Sequence, residues 1–410
     1  MSGCEGGDAP AEEVTISWMR RLRALIIVVL VSAVLFVAGA ESVLRALSER
    51  ELGESERGLY VPGPVLGFRY ASDYRGFHEI KGVFRVTVWT DHEGFRCEPN
   101  RTSPQYPDII LLGDSFIFGW GVEARETVSA RLEQNLSGFS VRNCAVSGYD
   151  TERELLLYRQ LLDRCTPQAA IVGYFGGNDI REILIKGHYR VQQNRLAKRY
   201  SALRAWEAYF NPDTGVLEFV HSSPERAAQS LLHQALDYSF TYQTLLKRMN
   251  RFPMLRKPYS LKEPFVYTLA KYPGLVEAAF QRSLEALLQM QRLSDEHGVQ
   301  FLVVLVPFEA QIDPEAYKKW LASNGMNPDL FEPDYPQWRV RAFLEGHGVA
   351  YVDLIQPFAE AAGRGIKPFL EKDPHWSAEG HRIAAQAIAD YFRARRTLRE
   401  AVAKVTQRRE

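Results

Sequence analysis

The sequence predicts an α/β domain with a parallel sheet, set behind an N-terminal membrane-spanning segment. Three observations carry this. From residue 108 onward, short apolar runs alternate with stretches of helical periodicity, the pattern of strands covered by helices on both faces. The breaks after those runs gather Gly, Ser, Asn, Asp and His. Near the start, Ala24 to Ala40 is a run of 17 residues without a charge.

As a helix, that run covers roughly 25 Å at ~1.5 Å per residue, a little short of a hydrocarbon core of about 30 Å. Trp18 and Met19 extend it, and Arg20, Arg21 and Arg23 can snorkel at its edge. The arginines favour a cytosolic N-terminus. Ala38-Gly39-Ala40 also reads as a signal-peptide cleavage site, but the leader carries Glu5, Asp8, Glu12 and Glu13, which favours an uncleaved anchor. Either way the main domain is exported, to the periplasm or the cell exterior. The expected organisation is a cytosolic tail (1–23), an anchor (24–40), a stalk and β-rich segment (41–104), the α/β domain (105–398) and a C-terminal tail (399–410).

With 410 residues the chain has room for one large domain with insertions, or for two. An apolar fraction of 46% and a charged fraction of 24% are ordinary for a globular protein. Fifty basic residues balance fifty acidic ones, and no basic stripe interleaves with aromatics, so a nucleic-acid partner is not indicated. Four cysteines are too few for a disulfide framework. Of the exported Cys97, Cys144 and Cys165, one pair could form and leave one thiol over. Cys144 lies in an apolar run that packs it away, and the spacing suggests no metal site.

In chain order, residues 41–58 read as a charged helical stalk. Residues 59–100 read as β structure, with partial alternation in "VFRVTVWTD" (83–91) and a turn at Asp91 to Gly94. Strands are expected at 109–112, 140–146, 169–175, 299–307 and 349–354. Helices are expected at 123–134, 151–163, 275–297, 337–348 and 378–398, and two of them end in His-Gly, a C-terminal signal. Residues 181–270 interrupt the alternation. They are rich in Tyr and Arg, show no strand signal and read as a helical lid or cap insertion.

Four polar clusters follow the strands. They are Gly113-Asp114-Ser115, then "AVSGYD" with Gly148, then "FGGND" with Asn178, and last "KDPHWSAEGH" with Asp373 and His375. In a parallel sheet these breaks fall at one edge, where open α/β sheets place their ligands. A serine hydroxyl becomes a nucleophile when a base removes its proton, and His375 can be that base for Ser115. Pro374 pushes Asp373 toward an extended conformation, so residues 373 and 375 can face one side and a carboxylate can meet the imidazole. The backbone N–H groups of Ser115 and Gly148 and the Asn178 amide could hold a tetrahedral oxyanion. Each cluster also has a plain structural reading. Asp114-Ser115 could cap a helix, Gly148 and Gly177-Asn178-Asp179 could be turns, and Asp373 to His375 could be a solvent-facing loop. His381 reads as a cap or packing residue of the last helix. No G-x-G-x-x-G, Walker lysine or G-x-S-x-G is present.

These four blocks resemble the SGNH/GDSL hydrolase family, over about residues 105–395. "GDSF" matches the serine block, "AVSGYD" the glycine block, "GGND" the asparagine block and "DPHWSAEGH" the histidine block. The resemblance implies a three-layer α/β/α flavodoxin-like domain, no metal or organic cofactor, and Ser115, His375 and Asp373 as its triad. It departs from the usual pattern in two places. Pro374 alone separates Asp373 from His375, where the family has two residues, and Phe116 stands where the family has leucine. The Asp-x-His-Trp form is similar to membrane-linked members that add or remove acetyl groups on exported polysaccharides, such as the alginate acetylation proteins. The implied function is a serine esterase or O-acyltransferase acting on ester groups of an exported carbohydrate or lipid. The alternative is an inactive cell-surface carbohydrate-binding or assembly protein that kept the fold. Phe118, Trp120, Tyr149, Tyr174 and Trp376 near the motifs suit a sugar or acyl chain, or the core.

Overall fold

A computed structural model describes residues 11–52, 55–99, 104, 106–184, 189–192, 195–198, 208–210, 217–219, 268, 274–323 and 327–395. It divides into one unit of residues 1–53 with 228–255, and a second of residues 54–227 with 256–410. In the first unit α1 (Ala11–Leu52) is a single helix. It runs unbroken through Ala38-Gly39-Ala40 and into the expected stalk. Within it Trp18–Val43 has a mean hydropathy of 2.7 and none of it is buried, so it is long and apolar enough to cross a membrane.

The second unit is built on an eight-stranded sheet. Its strands are β3 (Arg75–Ile80), β4 (Phe84–Thr90), β5 (Arg96–Cys97), β6 (Ile109–Leu112), β7 (Val141–Asn143), β8 (Ala169–Tyr174), β13 (Gln300–Leu305) and β14 (Tyr351–Asp353). Their spatial order is β14-β13-β8-β6-β7-β5-β4-β3. The five strands from β14 to β7 are mutually parallel. Numbered along the chain, those five lie in the order 2-1-3-4-5, the flavodoxin-like winding, whose switch point falls between β6 and β8. β6 (IILL) and β8 (AAIVGY) are buried at every residue, which is why they read as unbroken apolar runs rather than alternating ones.

The β-rich segment before residue 100 extends this sheet. β5 pairs antiparallel with β7 through Arg96 and Asn143, and β4 and β3 follow antiparallel. This covers a β7 edge that would otherwise present open backbone groups. β4 alternates in burial, as a strand with one wet face should. β1 (Tyr60–Gly63) and β2 (Gly67–Tyr70) form a separate hairpin. The predicted turn at Asp91 is present. The Asp91 side chain accepts the N–H groups of Glu93 and Phe95, and its other oxygen meets Arg142 of β7 at 2.7 Å, with both side chains 4% exposed.

The helices fall into two groups. α4 (Thr151–Leu162), α5 (Gly176–Leu184) and the helix Gly274–His297 pack together; α3 (Val128–Asn135), Ile355–Gly363 and Ala378–Arg395 make the other group. The helices predicted to stop at His-Gly end at His297 and Gly346. Few of residues 181–270 are described beyond α5, among them Thr268 in a 3-10 turn. They hold two antiparallel pairs, β9 (Tyr189–Gln192) with β10 (Arg195–Lys198) and β11 (Ala208–Phe210) with β12 (Leu217–Phe219). Strands of three or four residues are too short for an alternation to register in the sequence. The rest of that segment, and the tail 399–410, lie outside the described residues. Cys97, Cys144 and Cys165 are all free thiols, so no pair forms among the described cysteines, and Cys144 is fully buried as expected.

His381 is 1% exposed, and its Nδ1 accepts the Val128 N–H at 3.1 Å, capping the first turn of α3 from the last helix. Burial, then the nearby charges of Arg96 and His375, push it down to about 3. His78 on β3 is likewise held at about 3 by burial and the Arg96 charge. An unfolded histidine titrates near 6.5, so between the two values only the unfolded chain takes up the proton. The stability these neutral rings contribute is therefore intact above pH ~6.5 and is lost as pH falls toward 3, by roughly 1.4 kcal/mol per pH unit per histidine. The urea midpoint of wild type relative to His381→Gln should fall as pH drops from 7.5 to 5.5, a comparison in which the other titrating groups cancel. A difference that stays constant to pH 5.5 would contradict this.

Candidate active site

Ser115 opens α2 (Ser115–Phe118), directly after β6. The cap of α2 is Asp114, whose carboxylate accepts the Phe116 N–H at 2.9 Å. The cap is therefore Asp114 rather than Ser115. Capping by Asp114 leaves the Ser115 hydroxyl free to meet His375, Oγ to Nε2, at 2.7 Å across 260 residues of chain. The other imidazole nitrogen, Nδ1, lies 2.5 Å from Asp373 Oδ1, and the same oxygen accepts the His375 backbone N–H at 3.0 Å. A single intervening residue is therefore enough for the carboxylate to hold both the ring and the backbone of His375. Burial pushes the Asp373 carboxyl up. The hydrogen bond from the His375 ring, its charge and its backbone N–H outweigh that and hold it below the usual carboxylate range. Asp373 thus stays ionised and can steady a protonated imidazole.

The glycine and asparagine loops flank this relay. The Val146 N–H donates to Gly113 O at 3.0 Å, which holds the Gly148 loop beside the Ser115 loop. Gly148 takes φ +85°, a left-handed turn that favours glycine. The backbone N–H groups of Ser115 and Gly148 donate to no other group among the described residues. The Asn178 amide is oriented from both ends. Its Nδ2 donates to Asp114 Oδ2 at 2.6 Å, and its Oδ1 accepts from Arg181 Nη2 at 2.9 Å. One amide proton remains for a ligand. Asp114 therefore ties the serine block to the asparagine block across the switch point.

Three features escaped the reading of the sequence. Beneath the loops lies a buried acidic cluster: Asp150 caps α4, Asp179 accepts the Phe175 N–H, and Glu154 is 1% exposed. Burial first, then repulsion from neighbouring carboxylates (Asp179 and Asp114 for Glu154, Asp114 for Asp179), raises both well above the usual carboxylate range. Arg96, also buried, donates to the carbonyls of Phe118, Gly119 and Val122, clamping the loop after α2. His78 packs edge-on against Trp120, with centroids 3.8 Å apart. None has a local signature, because each acts through contacts distant in the chain. Of the five aromatics near the motifs, Phe118, Tyr149, Tyr174 and Trp376 are core residues. Trp120 is half-buried and stacks on His375, with centroids 5.3 Å apart and planes 28° apart.

Ser115, His375 and Asp373 thus meet at the carboxyl edge of a 2-1-3-4-5 sheet, with the serine, glycine, asparagine and histidine blocks each in its own loop. The C-terminal portion, residues 268–410, matches the family described as "SGNH hydrolase-like domain, acetyltransferase AlgX". Over 114 residues the chain is 29% identical to "Probable alginate O-acetylase AlgJ" of Pseudomonas putida, a match spanning 28% of each protein's length. Similar solved structures include a catalytic mutant of Axe2, an acetylxylan esterase from Geobacillus stearothermophilus (13% identity, TM-score 0.35, 70% of this chain and 93% of that one). Another is a lipase/acylhydrolase from Enterococcus faecalis (14% identity, TM-score 0.34, 70% and 95%).

Replacing Asp114 with alanine should remove the cap and release Asn178 together. The expected loss is ~1–2 kcal/mol for the cap alone, read as a lowered urea midpoint, while Ser115→Ala should leave that midpoint nearly unchanged. Equal midpoints for Asp114→Ala and the wild type would contradict the bridging role.

Proposed function

We propose that this protein is a membrane-anchored, exported serine esterase or O-acyltransferase that acts on acetyl esters of a carbohydrate. The observation that carries the reading is the continuous relay from Ser115 Oγ through His375 to Asp373. In this reading Ser115 Oγ attacks the ester carbonyl as its proton passes to His375 Nε2, and Asp373 stabilises the imidazolium. The oxyanion is held by the free N–H groups of Ser115 and Gly148 and by the second amide proton of Asn178. Losing one such donor costs ~3 kcal/mol of transition-state stabilisation. Collapse of the intermediate expels the alcohol, which takes the proton back from His375 and leaves an acetyl-Ser115 ester. Water or a sugar hydroxyl, activated by the same imidazole, then takes the acetyl group.

The acetyl and polysaccharide assignments are supported by the AlgX family match in the C-terminal portion and by the O-acetylase name of the P. putida relative. An apolar helix Trp18–Val43 with arginines on its N-terminal side supports a cytosolic N-terminus and an exported domain.

A fluorophosphonate probe should label the wild type at Ser115, and neither Ser115→Ala nor His375→Ala should label comparably. Because the base must be neutral, labelling should slow as the solution is acidified. Full esterase activity in Ser115→Ala, or no labelling of wild type at any pH, would refute the reading. Incubation with acetylated and bare oligosaccharides then separates the two outcomes: free acetate marks a hydrolase, and acetate moved to the bare oligosaccharide marks a transferase.

A further inference from the structure

We propose that Trp120 is a positioning residue of the relay, which holds His375 against Asp373 and is itself locked in place by Arg96 and His78 of the N-terminal β segment. The inference rests on the reading of Ser115 and His375 given above and assigns the β segment a part in it.

Trp120 meets two members of the relay, Ser115 and His375. Its backbone N–H donates to Ser115 O at 3.0 Å. Its ring stacks on the His375 imidazole, at 5.3 Å between centroids and 28° between planes. Its indole Nε1 is buried and donates to no group among the described residues, so the ring meets the relay through its face. Asp373 pairs with no lysine or arginine among the described residues, its ion pair being with His375, so the orientation of that imidazole decides its support. A half-buried carboxylate in that setting depends on dipoles for support. The stacked ring offers His375 a π face when the imidazole takes up a proton, within the ~6 Å reach of a cation–π contact.

The position of the indole is fixed by its neighbours rather than left to loop motion. Gly119 and Gly121 take φ of +88° and +78° on either side of it. A Cβ on Gly119 would come within 2.5 Å of Thr127, and one on Gly121 within 2.6 Å of Leu370, so the Gly-Trp-Gly bend admits no larger flanks. Arg96 Nη1 donates to Gly119 O at 2.5 Å and Nη2 to Val122 O at 2.6 Å, holding the bend from both ends. His78 closes the remaining side at 3.8 Å, backed by Phe84. The titratable and charged groups around His375 are Asp373 on its own loop, Asp114 before α2, His78 on β3, Arg96 on β5 and His381 on the last helix. His78 and His381 are neutral there, which leaves Asp373 and the Trp120 face as the adjustable supports.

The test is the rate of fluorophosphonate labelling at Ser115 as a function of pH, in the full chain, for wild type, Trp120→Leu and Trp120→Phe. Trp120→Leu should label on the order of tenfold more slowly, with its acid limb moved to lower pH by about half a unit as the imidazolium loses its π face. Trp120→Phe keeps a ring and should restore the limb. A slower Trp120→Leu whose limb does not move, or a Trp120→Leu that labels like wild type, would overturn the inference while leaving the Ser115 assignment standing. Absence of labelling in the wild type would overturn that assignment and the role of Trp120 with it.

Discussion

Parallel strands that share one sheet must all end on the same edge, and the site depends on that constraint. β6, β7 and β8 deliver Ser115, Gly148 and Asn178 to neighbouring positions without any of the three being close in sequence. The switch point between β6 and β8 opens the crevice, and Asp114 spans it by accepting from Asn178. His375 arrives from a loop 260 residues after Ser115, and a 2.7 Å contact over that distance requires the loop to be held. Asp373 provides the holding by accepting both the ring and the backbone N–H of His375.

The N-terminal β segment braces the loop that follows Ser115. It continues the sheet past β7 through Arg96 and Asn143, and the guanidinium that emerges from that pairing turns back to bind three loop carbonyls. A buried guanidinium is costly to desolvate, and here the carbonyls and the face of Phe118, 4.7 Å away, offset the cost. Burial still draws Arg96 down to about 10, so its charge persists at neutral pH. Burial, with the same charge adding to it, keeps His78 and His381 neutral, which lets both rings act as packing and acceptor groups beside His375.

The acidic cluster under the glycine and asparagine loops shows a second constraint. Glu154 and Asp179 are buried together, so repulsion and desolvation favour their protonated forms. Asp179 uses one oxygen to fix the Phe175 N–H at the start of the asparagine block. Carboxyls that would be surface charges elsewhere thus become internal hydrogen-bonding groups that shape the loops.

The alternation of apolar runs with helical periods, the order of the four blocks and the one-residue spacing of Asp373 and His375 were all legible in the sequence, because each is set by local pattern and strand-end chemistry. The apolar N-terminal run was legible for the same reason, since length and absence of charge are properties of a continuous segment. Several features were decided only by tertiary structure: the antiparallel extension by β3 to β5, the short hairpins within 181–270, the free state of Cys97, Cys144 and Cys165, and the separation of Trp120 from four core aromatics. Each depends on which distant surfaces meet. An arginine that clamps a loop some 25 residues on, or a tryptophan that stacks on a histidine over 250 residues later, leaves no periodicity or motif behind. Packing in three dimensions alone brings those groups within range of one another.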